Sequence, residues 1–420
     1  MGNSGSTVFL IILSFFSFIL CWYAFQALRT LLLQWDNPVG RTAATALYWL
    51  FSVIYILNTI LSFRTIFKIG EISGSAQMGL NIFLTITITQ VTIIMFLLGE
   101  DLVRGVKGAA NYLSGNLAHD QSDIPQRRKF ISQLALIVAS IPFAGFVYGV
   151  FKGKYNFKVF KETIYFEDLP EAFDGFTITQ LSDIHAGSFK DAEAVQKGID
   201  LAKAQKSDLF VFTGDLINVA ADEVNPFIDR FEEIKAPYGQ YSILGNHDYG
   251  DYTQWPTPQD KVDNFNSLKA SHAKMGFRLM LDEHVTIQKD GASIQLLGVE
   301  NWGIGFKSKG DLEKAMTGLG EKDFKILLSH DPTHWEAVAK KHPSKIHLTL
   351  SGHTHGMQMG IETPFGSWSP AKYRYSNWAG LAEEAGRYLY VNRGFGFHAF
   401  AGRVGIWPEI TVITLKKKLA

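Results

Sequence analysis

Four long stretches without a charged side chain constrain this sequence more than any other feature. They run from Thr7 to Leu28, Thr42 to Phe63, Gly74 to Gly99 and Phe130 to Phe151, and none contains Asp, Glu, Lys, Arg or His. A helix needs about 20 apolar residues to cross the hydrocarbon core of a bilayer, and each stretch is long enough. Buried helices of soluble domains are shorter and interrupted by charge, so residues 1–151 read as an anchor of four transmembrane helices. Trp22, Trp35, Tyr48, Trp49 and Tyr148 fall near the expected span ends, where aromatic rings favour the membrane interface. Thr85, Thr87, Thr89 and Gln90 give the third span a polar face suited to packing inside the bundle. The first span has no basic segment before it, which argues against a cleavable signal. With no ionisable group inside the spans, ion paths and proton relays have nothing to be built from, so a transporter or channel is disfavoured.

Residues 152–420 are a different material. Short apolar runs alternate there with segments of helical spacing, at Asp191 to Lys206, Val224 to Ile234 and Val262 to Met275. Lys152 to Asp174 alternates in the manner of an opening strand or hairpin. Asp290-Gly291 sits between two alternating runs and signals a tight hairpin. The expectation is a sheet-rich α/β domain, joined to the anchor after residue 151. Glu100 to Lys129 is a polar connector between the third and fourth spans. The formal net charge is zero, so there is no electrostatic case for a nucleic-acid partner. Cys21, the single cysteine, lies in the first span, which excludes a disulfide framework and leaves thiol chemistry without support.

Five clusters of polar residues each follow one of the apolar runs directly. Asp183-Ile184-His185 follows Thr177 to Leu181, and Gly214-Asp215 follows Leu209 to Thr213. Gly245-Asn246-His247-Asp248 follows Tyr241 to Leu244, Ser329-His330 follows Ile326 to Leu328, and Gly352-His353-Thr354-His355 follows Ile346 to Leu350. Runs of this length bounded by Gly, Asp and Asn are the pattern of buried strands, so five strand ends deliver carboxylates, imidazoles and an amide to one edge. Alone, each cluster reads as surface decoration or a turn; their joint placement at strand ends is what points to a site.

The donors include no thiolate, which suits Mn, Fe, Zn, Co or Ni rather than an all-oxygen calcium cage. Two ions about 3.5–4 Å apart need a ligand that touches both, which a carboxylate can do and an imidazole normally cannot. Two divalent ions carry about +4 against about −3 from two Asp and a hydroxide, leaving positive charge to attract a phosphate oxygen. The same ions lower the pKa of bound water and make hydroxide available as a nucleophile.

The ordered series D-x-H, G-D, G-N-H-D, H and G-H-x-H resembles the calcineurin-like metallophosphoesterases, in a membrane-associated bacterial branch. The resemblance covers about Phe176 to Leu415. It implies a four-layer α/β/β/α sandwich behind the transmembrane bundle. Carried over by position, Asp183, His185 and His355 would hold one metal, Asn246, His330 and His353 the other, and Asp215 would bridge. His247 would be the non-ligand histidine that faces substrate and protonates the leaving group, and Asp248 would orient it.

Among the other histidines, His119, His272, His284, His342 and His347 have no ligand spacing. His334 is expected as a solvated residue at the start of a helix, and His398 is a candidate to flank the pocket. Arg374 and Arg393 are candidates to pair a phosphate, with surface salt bridges as the equal alternative.

The resulting expectation is a membrane-anchored metal-dependent phosphoesterase acting on phosphate mono- or diesters or diphosphates, with lipid-linked esters among its substrates and membrane lipid as its surroundings. A soluble nucleotide phosphodiester substrate, or a receptor or scaffold whose metal domain does not turn over, are the alternatives. Four spans put both termini on one side. Basic residues lean slightly towards the other side, in the loops Arg29 to Arg41 and Glu100 to Lys129, and Arg127-Arg128-Lys129-Phe130-Ile131 resembles a twin-arginine export signal, with a plain basic anchor at the helix end as the alternative. Both place the catalytic domain outside the cytoplasm of a bacterial cell.

Overall fold

The computed structural model describes residues 3–69, 72, 74–114 and 124–418; His119 and the middle of the polar connector lie outside the described residues. The chain divides into two compact units, residues 1–148 and 149–420.

The first unit consists of α1 (Asn3–Leu32), α2 (Pro38–Ile69), α3 (Gly74–Leu113) and most of α4 (Ile124–Phe151). Each helix contains a segment long and apolar enough to cross a membrane. The helix α3 continues to Leu113, so the first part of the connector is helical rather than a loop. Packing in this unit is inverted relative to a water-soluble bundle. Ile11, Ile12, Phe15, Leu47, Leu50, Ile54, Leu61, Met95, Ile137 and Ile141 face outward, while Ser17, Ser52, Thr59, Gln77, Asn81, Thr85 and Gln90 are buried. That arrangement is favourable only where the surrounding solvent is itself apolar. The polar face of α3 points inward as expected: Thr87 Oγ1 lies 2.8 Å from the Tyr55 hydroxyl, and Gln90 Nε2 donates to the Cys21 sulfur at 3.2 Å. A Cβ on Gly79 would collide with the Ser62 side chain, so the small residue sets how closely α2 and α3 approach. Arg128 pairs with Asp101 at 2.7 Å and with the buried Glu100 at 3.3 Å, and Arg127 lies 3.6 Å from Glu100. The two arginines thus have a structural use within this unit.

The second unit carries the strands β1 (Lys158–Phe166), β2 (Thr177–Leu181), β3 (Leu209–Phe212), β4 (Gln240–Ser242), β5 (Arg278–Leu279), β6 (Glu283–Lys289), β7 (Ala292–Gly298), β8 (Lys325–Leu328) and β9 (Leu348–Ser351). After them come β10 (Ile361–Thr363), β11 (Gly366–Trp368), β12 (Gly380–Glu384), β13 (Arg387–Val391) and β14 (Glu409–Lys417). They form two six-stranded sheets, ordered β1-β14-β2-β3-β4-β5 and β12-β13-β9-β8-β7-β6, and the small hairpin β10-β11. Both faces of the central strands are apolar, which explains the unbroken hydrophobic runs. In β3, Leu209 and Val211 point into the core between the sheets with Leu296, Ile326, Leu328, Leu348 and Leu350. Phe210 and Phe212 point the other way, against Val195, Ile199, Phe231 and Leu268. Those four belong to α5 (Ala192–Lys203), α6 (Ile228–Glu232) and α7 (Pro258–Lys274). On the far side, Leu297, Leu327 and Leu389 pack against Leu312 and Trp335 of short helical turns. The result is the expected α/β/β/α layering.

Of the two alternatives for Lys152 to Asp174, the structure has the opening strand, β1, paired in parallel with β14. One local expectation changes. Val224 to Ile234 is a 3₁₀ turn over Ala221–Phe227 followed by the short α6, because Pro226 cannot donate the N–H a continuous helix needs. The turn at Asp290-Gly291 has φ of 48° and 81°, as a tight hairpin between β6 and β7 requires.

Candidate metal centre

The strands β2, β3 and β4 are mutually parallel, as are β8 and β9, so their C-terminal ends lie along one edge of each sheet. The two edges meet. Gln180 Nε2 donates to Ser351 O and Thr213 Oγ1, both at 2.9 Å, and the His353 N–H reaches both carboxylate oxygens of Asp183 at 3.0 and 2.9 Å. The turns leaving the strands are sharp: Asp183, His185, Asp215, His353 and His355 all have left-handed backbones, with φ between 47° and 72°. Asp and His occupy that region more readily than most residues, but each such position still costs about 1–3 kcal/mol. Gly245 and Gly352 make room for the carboxylates, since a Cβ would strike Asp215 Oδ1 at the first and Asp183 Oδ2 at the second.

Among the described residues three groups of donors converge. Asp183, His185 and His355 form one, Asp215, His330 and His353 a second, and His185, His247 and His398 a third that shares His185 with the first, with the donor atoms of each group within 4.8 Å of one another. The first two are the groups that contain the carboxylates. One oxygen, Asp215 Oδ2, lies 3.6 Å from His185 Nε2 and 3.1 Å from His330 Nε2, so it faces both groups. Its Oδ1 accepts the His247 N–H at 2.8 Å. In the first group His355 Nε2 is 3.3 Å from Asp183 Oδ1, and in the second His353 Nδ1 is 3.3 Å from His330 Nε2. Ligands about 2.0–2.2 Å from a common ion stand roughly 3–3.5 Å apart, the spacing these atoms keep. His355 Nε2 and Asn246 Oδ1 are buried and make no hydrogen bond. Buried polar atoms are rarely left so, and an ion would satisfy both. The residues therefore fit a centre of divalent cations.

The rings are held by what stands behind them. His330 Nδ1 lies 2.7 Å from Thr213 O, His353 Nε2 lies 2.8 Å from the Tyr375 hydroxyl, and His185 Nδ1 lies 3.0 Å from Asn218 Oδ1. Such contacts fix the ring and leave the other nitrogen for a metal. Asn246 donates its amide to the Tyr252 hydroxyl at 2.8 Å, which turns Oδ1 towards the site. Burial pushes the His185 and His355 rings well below the usual imidazole range and His353 to about 4, keeping them neutral. For His330 burial acts the same way, but Asp215 overrides it and holds the ring protonated. Burial would likewise raise Asp215, yet the His330, His247 and His185 rings keep it well below the carboxylate range.

Several residues sit differently from the sequence expectation. Asp248 does not reach the imidazole of His247. Its carboxylate accepts the N–H groups of Gly245, Asp215, Leu216 and Ile217, at 2.8, 2.9, 2.9 and 3.3 Å, and so shapes the loop that carries Asp215. The His247 ring is oriented instead by the Asn218 carbonyl, 2.8 Å from Nδ1. His334 is buried rather than solvated, because its helix folds back so that Trp302 covers the ring while Nδ1 meets Ser329 Oγ at 2.8 Å. Arg393 is taken up in a buried pair with Glu409 and Glu362, both at 2.7 Å, and Arg374 is exposed. His398 does line the site, its ring centroid 4.8 Å from that of His185 and 4.5 Å from that of His247.

Asn218 and Arg403 were not foreseen. Asn218 serves three histidines, since His398 Nδ1 also lies 3.1 Å from its Oδ1. Its one sequence signal was a polar residue shortly after Gly214-Asp215. Arg403 is fully buried, donates to the carbonyls of Gly394 and Gly396, and lies 3.2 Å from His355 Nδ1; burial pushes its guanidinium down to about 9. Beside the centre a cavity of about 250 Å³ is lined by Asn246, Tyr249, Tyr252, Asn301, Phe306 and Lys309 among others.

Known proteins resemble this chain in sequence. Residues 6–154 match the family described as probable calcineurin-like phosphoesterase, transmembrane domain, and residues 176–357 match calcineurin-like phosphoesterase. The uncharacterized metallophosphoesterase YkuE of Bacillus subtilis (strain 168) is 31% identical over 297 residues, covering 69% of this chain and 97% of YkuE. A transmembrane protein with metallophosphoesterase domain from Danio rerio is 28% identical over 294 residues, 68% of this chain and 62% of that protein. An uncharacterized metallophosphoesterase of Aquifex aeolicus (strain VF5) is 26% identical over 268 residues, 63% of this chain and 94% of that one.

The shared position of Asp215 Oδ2 generates a prediction. Asp215→Asn removes the charge facing both donor groups and should lower the metal content measured by elemental analysis, together with turnover. A purified variant with the full metal complement and near-normal activity would remove Asp215 from a bridging role.

Proposed function

This chain belongs to the calcineurin-like metallophosphoesterases, and from that premise we propose a membrane-anchored phosphohydrolase whose two metal ions are held by seven named side chains. Asp183, His185 and His355 hold the first ion, Asn246, His330 and His353 the second, and Asp215 bridges. The observation that carries this reading is the single carboxylate oxygen of Asp215 facing imidazoles of both groups at 3.1 and 3.6 Å. Transition metals such as Mn, Fe, Zn, Co or Ni, when bound, would supply a hydroxide nucleophile at neutral pH and neutralise charge on the phosphoryl oxygens.

The remaining work falls to the chain. The Asn218 carbonyl takes the Nδ1–H of His247, which turns Nε2 towards the departing oxygen, to which the ring in its imidazolium form would deliver the Nε2 proton and become neutral. His398 and Tyr252 pack against that ring, with centroids 4.5 and 4.4 Å away, and restrict its rotation. Asp248 acts through the loop backbone and is a positioning residue. In the adjoining cavity Lys309 lies 3.5 Å over the Tyr249 ring and, among the described residues, has no carboxylate partner. The negative charge of Asp251 and Glu300 reaches it without a direct ion pair, and an ammonium placed in this way beside a phosphoester site favours a substrate with a second anionic group, as in a diphosphate. The membrane anchor makes lipid-linked esters of this kind the favoured class.

Three measurements bear on this reading. His247→Ala should retain the metals yet slow turnover about 10²–10⁴-fold, less for substrates whose leaving group needs no proton; loss of metal in this variant would make His247 a ligand instead. Lys309→Met should raise KM about tenfold for a diphosphate ester and little for a simple monoester, with kcat nearly unchanged; an equal rise for both would discard the second-anion contact. We also place the catalytic domain outside the cytoplasm of a bacterial cell, on the basic residues flanking the spans; the Arg127 and Arg128 ion pairs weaken the export-signal support for it. Protease added to intact spheroplasts should digest the domain, whereas protection until lysis would put it inside.

A further inference from the structure

The hairpin β10-β11 is the most exposed apolar feature of the second unit. Phe365 at its tip is 99% exposed, and Ile361 and Trp368, which face each other across the hairpin, are 61% and 41% exposed. Tyr373, just beyond it, is 78% exposed. The tip is built rather than loose: Thr363 Oγ1 donates to Gly366 O at 3.0 Å and accepts the Phe365 N–H at 3.2 Å. The hairpin's carboxylate, Glu362, is consumed by Arg393. Lys372 and Arg374 follow it, both exposed. Aromatic side chains on a polar frame with cations beside them are the composition of a membrane-interface contact.

What covers this patch follows from where the chain leaves its fourth apolar helix. The last turn of that helix and the residues after it pack on one short segment: Arg403 N–H donates to Gly149 O at 3.2 Å, and a Cβ on Gly149 or Gly153 would press on Arg403 O. The next residue, Val404, bridges Met359, and Gly360 N–H donates to Val404 O at 2.9 Å. The root of the hairpin is therefore one strand's width, about 4.8 Å, from the segment that contacts the membrane exit. Phe365 lies a further few residues out along extended chain.

We propose that the β10-β11 hairpin inserts Phe365, Ile361 and Trp368 into the lipid–water interface of the bilayer the protein spans, with Tyr373, Lys372 and Arg374 at headgroup level. Its root is continuous with the metal-bearing loop, since His355 to Gln358 runs directly into β10 and Ser369 Oγ donates to Gly356 O. Docking the hairpin holds that loop at headgroup depth. The inference does not depend on the reaction assigned to the site.

The test uses the full chain with Cys21→Ser and a single new cysteine at Phe365→Cys, labelled with an environment-sensitive fluorophore and reconstituted in phosphatidylcholine–phosphatidylglycerol vesicles. Lys197→Cys on exposed α5 is the control. The expected result is blue-shifted emission at 365, quenching by lipids carrying a spin label near the headgroup, and shielding from aqueous iodide, with the reverse at 197. Equal iodide quenching at both positions would overturn the proposal. So would shielding without lipid quenching accompanied by 365–365 cross-links, which would make a second copy of the chain the occupant. Metal loading and activity are read separately, so failure here leaves the catalytic reading untouched.

Discussion

Everything at the junction of the two sheets depends on one buried negative charge. Asp215 is almost wholly inaccessible to water, as are Asp183 beside it and the imidazoles of His185 and His330. A carboxylate there is tolerable only with compensating donors and cations. The fold supplies the donors through the His247 N–H, and through Asp248, which collects four other N–H groups and so turns the backbone that presents Asp215. The nearest cationic group is the His330 ring, whose pKa Asp215 raises against the effect of burial. Left-handed turns at five of the donor residues are the geometric cost of bringing both sheet edges to one point. The packed inter-sheet core offsets it.

The elements that were readable in the sequence are those encoded by residue type along the chain. Each strand preceding a donor was legible because both its faces are apolar, as Leu209, Phe210, Val211 and Phe212 illustrate. Gly245 and Gly352 were visible only as members of their clusters; that a Cβ there would strike the carboxylates emerges from the structure. What stayed hidden is carried by backbone groups and by long-range contacts. The partner of His247 is the carbonyl of Asn218, an atom every residue possesses, so no pattern could mark it. The family resemblance implied that Asp248 orients His247, but the turn geometry gives its carboxylate four N–H bonds elsewhere. His334 looked solvated by helical period, but a five-residue helix covered by Trp302 has no free outer face at that position.

The membrane unit follows the opposite solvent logic from the same chain. Its polar side chains turn inward and bond each other, and its large apolar ones turn outward, because lipid offers nothing to a hydroxyl or amide. Four charges at the ends of the third and fourth spans, Glu100, Asp101, Arg127 and Arg128, pair with one another. This is why a motif that resembles an export signal in sequence serves first as an ion-pair network in the fold.

Arg403 joins these themes in one residue. Its guanidinium is buried without a carboxylate in contact, an expensive state, and is satisfied by the carbonyls of Gly394 and Gly396 beside the metal loop. Its Nη2 meets His355, while its own backbone N–H bonds Gly149 at the end of the fourth helix. Gly394 and Gly396 in turn crowd against Asp183 and Ile184, so neither can gain a side chain without moving a donor. The segment that leaves the last helix and the loop that positions His355 therefore share a single rigid support. A small apolar residue in place of Arg403 would leave the carbonyls of Gly394 and Gly396 without their donor and His355 Nδ1 without its neighbour, which is what the buried guanidinium supplies.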